Sequence, residues 1–391
     1  CGKSWTAAAF SRSITRVDED KALYNDDPSL ALIGDQPHTI DEWQDAEAIW
    51  NRVRHRVDDS DNAPGQFILT GSSTPPKSEE RHSGAGRIGR LRMRTMTLSE
   101  LGLSSGSVSL GGLFEGNFAS QESHLGLEEY ASIICKGGWP ALLNANELRS
   151  SVVIAEYLDA LFNVSMRSLG KDPQTSRRLA IALARNLGTS ATLKTLAADA
   201  FEGTGSLLSD DTVASYLTDF SLNYFVDELP GWDAPIKSRS RVRTKPKRYL
   251  DDPSMAAVLL GVNSGRLLGE GQLFGVLFES LCIHDLAVYA SLLPGISSTP
   301  LRYYADADGL EVDAIIELQD GRWGAFEIKR SDVKVEDAAK SLKRLRDKVM
   351  ANPAAQNREP EFMAVLVGRA SFARQRQEDG IYVVPLDTLG A

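Results

Sequence analysis

Short apolar stretches alternate with helical segments in the first hundred residues, and this alternation is the strongest constraint on the fold. The stretch 38–41 (HTID) precedes a helical pattern with Ile49 and Val53 on its apolar face, and the apolar stretch 67–70 (FILT) ends at a Gly-Ser turn. Alternating strands and helices favour a parallel sheet, because consecutive parallel strands need a crossover connection between them. The sequence therefore predicts an α/β core at its amino-terminal end.

Length and composition indicate a globular protein with more than one domain. The chain has 391 residues, of which 42% are hydrophobic and 25% are charged, and a chain of this length exceeds one ordinary core. The formal net charge is −10. Such a charge disfavours indiscriminate binding to polyanions, so contact with nucleic acid would need a local basic patch.

The cysteine pattern bears on the cellular compartment. Cys1, Cys135 and Cys282 are few and widely separated, which argues against a disulfide framework or a structural zinc site. We therefore expect a cytoplasmic protein. Neither a signal-peptide pattern nor an apolar run near the ~20 residues of a membrane helix stands out in the sequence, so we expect no membrane association.

The chain opens on a tripeptide with chemical meaning. Gly2, Lys3 and Ser4 match the end of the phosphate-binding loop G-x-x-x-x-G-K-[ST], whose first glycine would stand five residues before Gly2. By itself the match is weak, and a helix start with Ser4 near its cap explains it equally well. We expect a longer parent protein that binds ATP. This chain should bind ATP weakly, because the backbone N–H groups of that loop surround the anion.

Two later segments agree with a nucleotide site. Asp41 and Glu42 end an apolar stretch, as in a Walker B motif, in which the first carboxylate helps to hold Mg²⁺ and the second polarises the attacking water. Thr70, Ser72 and Ser73 lie at the tip of the next strand, beside the expected position of a γ-phosphate. The order and spacing of these segments favour a nucleotide site over coincidence.

A basic segment follows these strands. Arg87 and, as second choice, Arg90 are candidates to stabilise the charge on a transferred phosphoryl group, although an ordinary surface arginine in a loop is the alternative interpretation. The segments Gly2-Lys3-Ser4, TIDEWQ, ILTGSS, AGRIGRLRMRTMTLSELGL and GGWPALL together resemble bacterial and archaeal AAA-type ATPases that carry a carboxyl-terminal domain of unknown function. The likeness covers nearly the whole chain.

That resemblance implies a set of roles. Lys3 and Ser4 would contact phosphates and Mg²⁺, with Gly2 in the same loop. Asp41 and Glu42 would form Walker B, Ser72 or Ser73 would be a sensor, and Arg87 would be the arginine finger. Because arginine fingers in this family act across subunits, the resemblance also allows a homo-oligomer.

The organisation of the chain is predicted from composition and periodicity. Three short helices followed by a β-prone segment resemble a winged helix, and a final α/β block follows it. The predicted domains are a truncated P-loop ATPase core (1–103), a linker and helical lid (104–165), a winged-helix-like domain (166–262) and a nuclease-like domain (263–391).

A basic stretch lies within the third of these domains. Seven Lys or Arg residues occur between Lys237 and Arg248, largely in alternation. On an extended ribbon such alternation places most of the charges on one face. Contact with DNA phosphates is one interpretation, and a solvated loop packed on acidic neighbours is the other.

The last block carries a second acidic constellation. Glu279 lies on a predicted helix, Asp313 on a strand, and Glu327 and Lys329 on one face of the next strand. This order resembles the PD-(D/E)XK nuclease core, in which carboxylates hold Mg²⁺ and the lysine helps to position the attacking water. A solvated hairpin is the alternative, but a carboxylate such as Asp313 at the end of a buried-looking run favours the nuclease-type fold.

Three functions are therefore open. The first is an ATP-dependent enzyme that acts on DNA through a Mg²⁺-dependent nuclease-like site formed by Glu279, Asp313, Glu327 and Lys329. The second is a regulatory nucleotide switch whose nuclease-like domain binds without cleavage. The third is an adaptor with no chemistry of its own.

Overall fold

The computed structural model describes residues 2–60, 63–71, 86–202, 208–233, 245–352 and 358–391. They form two compact units. One comprises Cys1–Arg94 with Phe220–Tyr224, and the other comprises Thr95–Asp219 with Phe225–Ala391. Both units contain helices and sheet, so the mixed α/β architecture is confirmed, whereas the four domain boundaries and their identities stay predictions.

The first unit is built on a three-stranded sheet. All three strands are parallel, and the central strand is buried along its whole length, as the alternating pattern predicts. Its elements in chain order are α1 (Lys3–Ala9), β1 (Ser13–Arg16), α2 (Lys21–Asp26), β2 (His38–Asp41), α3 (Ala48–Asp58) and β3 (Phe67–Thr70).

The strand register in this unit places polar residues at one edge. Asp41 ends β2 and lies opposite Arg16 of β1 and Thr70 of β3. Helix α3 then packs its apolar face against the sheet, because its buried residues recur at helical spacing. The buried residues of α3 are Ile49, Trp50, Val53 and Val57.

The second unit contains the remaining helices of the described residues. They are α4 (Leu110–Phe114), α5 (Leu127–Lys136), α6 (Glu147–Ala160), α7 (Pro173–Arg185), α8 (Leu193–Ala200), α9 (Asp210–Leu222, whose last residues belong to the first unit), α10 (Pro253–Leu260), α11 (Ser264–Gly269), α12 (Gly271–Ser291) and α13 (Val335–Ala351).

The strands of the second unit form one large sheet and two small ones. They are β4 (Val108–Ser109), β5 (Val226–Leu229), β6 (Lys247–Leu250), β7 (Arg302–Ala305), β8 (Glu311–Glu317), β9 (Trp323–Lys329), β10 (Phe362–Val367), β11 (Arg374–Gln375), β12 (Tyr382–Pro385) and β13 (Leu389–Gly390).

The large sheet has six strands in the order β11-β12-β10-β9-β8-β7 and is mixed. Strands β9, β10 and β12 are mutually parallel, whereas β8 is antiparallel to both of its neighbours. Residues 318–322 join β8 to β9, and Gly321 within this connection has a φ of +83°. That left-handed conformation suits glycine.

The described part of the region predicted as a winged helix contains a two-stranded sheet and the helices α7, α8, α9 and α10. Helices α7, α8 and α9 come first, and the antiparallel pair of β5 and β6 follows. The predicted order of elements is therefore present, while the winged-helix identity stays a prediction.

Helix α12 is apolar almost all round. It is 21 residues long with a mean hydropathy of 1.5, so by length and composition alone it could cross a membrane. The prediction that no segment reaches this length and hydropathy is therefore wrong for α12. However, 67% of its most apolar window is buried inside the protein, as in the core helix of a soluble protein, and among the described residues it is the one helix that passes this test.

The segment 137–140 (GGWP) is a close-packed turn. The amide of Gly138 donates to Asp252 Oδ2 over 2.9 Å, and its carbonyl accepts from the amide of Met96 over 2.6 Å. The indole of Trp139 donates to Ser254 Oγ over 3.0 Å. Asp252 also caps α10, so the turn is explained by packing within the second unit.

Substitution of Gly138 should be destabilising, since a Cβ there would lie 2.1 Å from the carbonyl oxygen of Met96. We expect Gly138→Ala to lower the free energy of unfolding by about 1–3 kcal/mol, as overpacking does, measured by urea denaturation. Gly269→Ala is the matched control, because nothing lies within 4 Å of its added Cβ. Equal effects of the two substitutions would contradict the close approach at Gly138.

Candidate functional site

The edge formed by the carboxyl ends of β2 and β3 gathers the predicted nucleotide site. Ser4 Oγ donates to Asp41 Oδ1 over 3.1 Å, and Lys3 Nζ lies 2.9 Å from Glu42 Oε1. Thr70 Oγ1 also donates to Asp41 Oδ1. The structure therefore brings Lys3, Ser4, Asp41 and Glu42 together with Thr70, the strand-tip residue that the sequence places beside the expected γ-phosphate.

Glu42 has an unusual backbone conformation. Its φ of 54° and ψ of 39° lie in the left-handed region, which costs a residue with a side chain about 1–2 kcal/mol. The ion pair with Lys3 and a hydrogen bond from Gln44 Nε2 hold its carboxylate in place. Strain of this kind is typical of functional sites, where surrounding contacts hold the residue.

Gly71 leaves room for this arrangement. A Cβ at Gly71 would lie 2.4 Å from Gln44 Oε1. In the described part of the chain, Gln44 Oε1 is buried without a hydrogen-bond partner. The glycine directly after β3 therefore permits the amide of Gln44 to approach the strand end and to support Glu42.

The residues present at this edge fit a magnesium ion. Ser4 Oγ and Asp41 Oδ1 are oxygen donors 3.1 Å apart, and Mg²⁺ in phosphate sites takes one or two protein oxygens, with water and substrate phosphates completing its octahedron. Over the described residues there is no group of three or more His, Cys, Asp or Glu placed to hold a metal ion. A Mg²⁺ site with one or two protein oxygens does not require such a group.

The remaining residues predicted for the nucleotide site are Gly2, Ser72 and Ser73. Gly2 precedes α1 with a φ of 77°, a backbone conformation that glycine adopts readily. Ser72 and Ser73 lie outside the described residues. The roles assigned to all of these residues stay predictions.

Arg87 forms an ion pair with Asp58, the last residue of α3. Because α3 leads from the carboxyl end of β2 back to the amino end of β3, Asp58 lies toward the opposite edge of the sheet from Asp41. The guanidinium of Arg90 lies 5.7 Å from the centroid of Trp50. As an arginine finger, Arg87 would therefore have to act on another copy of the chain.

The second predicted constellation converges between α12 and the strands β8 and β9. Lys329 Nζ lies 2.5 Å from Glu327 Oε2 and 3.6 Å from Asp313 Oδ2. The backbone amide of Ile328 donates to Asp313 Oδ2 over 2.8 Å. Asp313 and Glu327 are buried. Two carboxylates and a lysine therefore meet at the end of one strand pair, as the sequence pattern predicts.

A second lysine, which the sequence did not reveal, completes this group. Lys247 Nζ of β6 lies 2.5 Å from Glu311 Oε1, 3.6 Å from Glu279 Oε1 and 3.9 Å from Asp313 Oδ1. The side chain of Lys247 is only 4% exposed. We call Glu279, Glu311, Asp313 and Glu327 the carboxylate cluster; Lys247 and Lys329 are its cations.

Tyr249, two residues beyond Lys247, also contacts the carboxylate cluster. Its hydroxyl donates to Glu279 Oε1 over 2.6 Å. Because successive odd-numbered residues of a strand share a face, Lys247 and Tyr249 reach the cluster from the same side of β6. The alternation of the basic stretch was the one available sequence signal, but it gave no indication of the partner.

The basic stretch therefore differs from the exposed ribbon that its alternation allowed. Residues 237–244 lie outside the described part of the chain. Lys247 is buried among carboxylates, and Arg248 Nε lies 3.0 Å from Glu228 Oε1. Of the two interpretations, packing on acidic neighbours describes Lys247 and Arg248, and contact of the stretch with DNA stays a prediction.

Burial raises the pKa of two members of the carboxylate cluster, Glu279 and Glu327. Burial and the charge of Asp313 raise the pKa of Glu279 to about 7 and the pKa of Glu327 to about 8. Burial would lower the pKa of Lys247, but the carboxylates of Glu279, Asp313 and Glu311 outweigh it and hold the pKa above its usual range. Both lysines are therefore charged at neutral pH, when part of the carboxyl groups still carry protons.

Three models of protein families match successive regions of the chain. Residues 1–102 match an AAA domain. Residues 127–266 and 274–389 match two domains of unknown function, DUF8612 and DUF4143 respectively. The matches at the two ends of the chain support the AAA-type ATPase family that the motifs indicate.

Two uncharacterized mycobacterial proteins, one from Mycobacterium tuberculosis and one from Mycobacterium bovis, are each 26% identical to the chain over 314 residues. The similarity covers 78% of this chain, which spans 61% of the length of each relative.

The raised pKa of Glu327 predicts a pH-dependent stability. Between the ordinary glutamate pKa of ~4.3 and about 8, the folded protein retains a proton that the unfolded chain releases, so stability falls as pH rises. Glu327→Gln removes this titration. We expect the melting temperature of the variant, relative to the wild type, to increase between pH 5.5 and pH 8.5.

Glu336→Gln is the control for this measurement. The ion pair with Arg376 lowers the pKa of Glu336, so this residue stays ionised in both states above pH 5.5 and the difference in melting temperature should be flat. A pH-independent difference for Glu327→Gln as well would contradict the raised pKa.

Proposed function

We propose that this protein is an ATP-hydrolysing AAA-type ATPase whose nucleotide site is formed by Lys3, Ser4, Asp41, Glu42 and Thr70. The observation that carries the proposal is the contact of Ser4 and Thr70 with Asp41 beside the Lys3–Glu42 ion pair. These residues come from a helix start and two strand ends, and the register of a parallel sheet places them at one edge. The match of residues 1–102 to an AAA domain supports the same activity.

The geometry supports a coupling between phosphate binding and activation of the base. Lys3 Nζ is paired with Glu42 in the structure, and a phosphate group would compete for the same ammonium. Transfer of Lys3 to the phosphate releases Glu42 Oε1, while Gln44 still holds the other carboxylate oxygen. Glu42 would then accept a hydrogen bond from the attacking water and orient it.

Ser4 and Asp41 would hold Mg²⁺ in this mechanism. The ion supplies neutralisation of the charge that develops on the phosphate oxygens. Thr70 orients the Asp41 carboxylate through its hydroxyl. Asp41 Oδ1 accepts hydrogen bonds from Ser4 and Thr70, and the Asp41 carboxylate would supply an oxygen ligand to the ion.

A second proposed function concerns the carboxyl-terminal domain. The proximity of Glu279, Asp313, Glu327 and Lys329 supports a nuclease-like site for phosphodiester bonds of DNA, because carboxylate oxygens suit Mg²⁺ and the lysine suits the attacking water. In the conformation described, these carboxylates do not form a group placed to hold a metal ion. The alternative is a nucleotide-dependent switch or adaptor whose nuclease-like domain binds without cleavage. The buried ammonium of Lys247 among the carboxylates favours this alternative for the conformation described.

Two further proposals concern the assembly of the protein and its location in the cell. Arg87 lies toward the opposite edge of the sheet from Asp41, so a finger role requires a homo-oligomer in which Arg87 of one copy reaches the nucleotide of the next. Cys135 and Cys282 are buried free thiols, which is consistent with a cytoplasmic protein.

Replacement of Glu42 should separate binding from hydrolysis. In the protein expressed from its complete coding sequence, Glu42→Gln is expected to retain ATP binding and to lower the hydrolysis rate on the order of 100-fold or more, as loss of a general base does. Phosphate release measures the rate, and a fluorescent ATP analogue measures binding. Glu47→Gln, an exposed glutamate five residues onward, is the matched control and should be unaffected. Wild-type turnover by Glu42→Gln would refute the assignment.

The nuclease proposal has its own test. Incubation of the protein with Mg²⁺, ATP and linear or single-stranded DNA is expected to give cleaved products that Asp313→Ala and Glu327→Ala lose, with the fold of both variants verified by circular dichroism. Cleavage that survives in both variants would come from a different source. Absence of cleavage under all conditions would favour the switch.

A further inference from the structure

Lys247 occupies the carboxylate cluster as a cation would. Its ammonium lies within 4 Å of Glu279, Glu311 and Asp313, and these carboxylates come from α12 and β8. Lys329 bridges Asp313 and Glu327 on the other side. Four carboxylates are thus served by two ammonium groups of the chain itself, and Asp313 is shared by both.

The position of Lys247 is fixed along the whole strand that carries it. The backbone carbonyl of Lys245 accepts a hydrogen bond from Tyr303 Oη over 2.5 Å, and Lys247 Nζ lies 5.2 Å from the centroid of the same ring. Tyr249 Oη donates to Glu279 Oε1 over 2.6 Å. Three alternate residues of β6 or its approach therefore contact the carboxyl-terminal domain, so Lys247 is held in the cluster by its neighbours as well as by charge.

The partner strand of β6 is anchored to the same domain. The amide of Trp232, which follows β5, donates to the carbonyl of Tyr303 over 2.6 Å, and the indole donates to Glu317 Oε2 over 2.9 Å. The ring of Trp232 also packs on Trp323, with the centroids 4.9 Å apart. The β5–β6 pair therefore lies against the edge of the six-stranded sheet, and Lys247 and Tyr249 of β6 contact the carboxylate cluster.

The cation and the carboxylates belong to different parts of the chain. Lys247 lies in the region 127–266 and Glu279, Glu311 and Asp313 lie in the region 274–389, which match two separate domains. The element that carries the cation and the elements that supply the oxygens therefore belong to two differently matched regions within one compact unit. A cation fixed in this way repels a divalent ion and takes up carboxylate oxygens that the ion would need.

We propose that Lys247 is an internal cation that closes the carboxylate cluster, so that a divalent metal ion binds there only after β6 withdraws. The proposal rests on the second proposed function, since it describes the regulation of the same nuclease-like site. It gives the β5–β6 pair the role of a strap whose release opens the site.

The test is the binding of Mn²⁺ alone to the full chain, measured by the electron paramagnetic resonance signal of the free ion. Wild-type protein is expected to show no site that Asp313→Asn abolishes. Lys247→Met keeps the length of the side chain and removes its charge. We expect this variant to gain one such site, with an affinity for Mn²⁺ at least about 10-fold higher than any binding by the wild type. The double variant Lys247→Met with Asp313→Asn should lose that site again.

Lys348→Met is the matched control. Lys348 bridges two carboxylates that are not members of the cluster, Asp306 and Asp308, and its loss should not create a Mn²⁺ site that Asp313→Asn abolishes. A folded Lys247→Met that gains no Mn²⁺ site would overturn the proposal. If that variant does not fold, the wild type still decides, because Mn²⁺ binding by the wild type that Asp313→Asn abolishes would equally overturn the closure.

Cleavage assays separate this proposal from the function on which it rests. A Lys247→Met protein that binds Mn²⁺ at the cluster but cuts no DNA would support closure and refute nuclease activity. Wild-type protein that cuts DNA with Mn²⁺ alone, in a reaction lost on Asp313→Asn, would support the nuclease and refute closure.

Discussion

Buried and partly buried carboxylates that need cations or hydrogen-bond donors beside them are the constraint on which both candidate sites depend. An ionised carboxylate away from water is costly unless a cation or several hydrogen bonds compensate it. In the first unit Lys3 serves Glu42, and the hydroxyls of Ser4 and Thr70 serve Asp41. In the second unit Lys247 and Lys329 serve the carboxylate cluster. When a phosphate or a metal ion binds, these ion pairs and hydrogen bonds must give way to contacts with the ligand.

Helix α12 shows how this constraint also organises a core. His284 and Asp285 are buried within it, and His284 Nδ1 lies 2.9 Å from Asp285 Oδ1. The other oxygen of Asp285 accepts from the amide of Leu98 over 2.9 Å, and Thr95 Oγ1 lies 3.1 Å from His284 Nε2. The conspicuous segment TMTLSELGL (95–103) is thus anchored to α12 by polar contacts inside an apolar surround, where such contacts fix one arrangement.

Several features were predictable from the sequence because they are local. The strand before Asp41 and Glu42, the helix with Ile49 and Val53 and the turn at 319–322 each follow from periodicity or turn chemistry over a few residues. The approach of Asp313 to Glu327 and Lys329 was also predictable, since two strands joined by a short turn pair in a fixed register. The length and apolar character of α12 were overlooked, because Glu279, His284 and Asp285 interrupt its apolar pattern.

The sequence by itself determined which side chains carry the chemistry and which strands present them, because alternation and helical spacing are properties of neighbouring residues. Only the tertiary structure decided that Thr70 contacts Asp41, that Arg87 pairs with Asp58 and that Lys247 enters the carboxylate cluster. Each of these contacts joins residues that are distant in the chain, and a lysine in an alternating basic stretch has the same local pattern whether it meets water, DNA or a carboxylate. The choice among these partners depends on the packing of whole elements, which places β6 over the site.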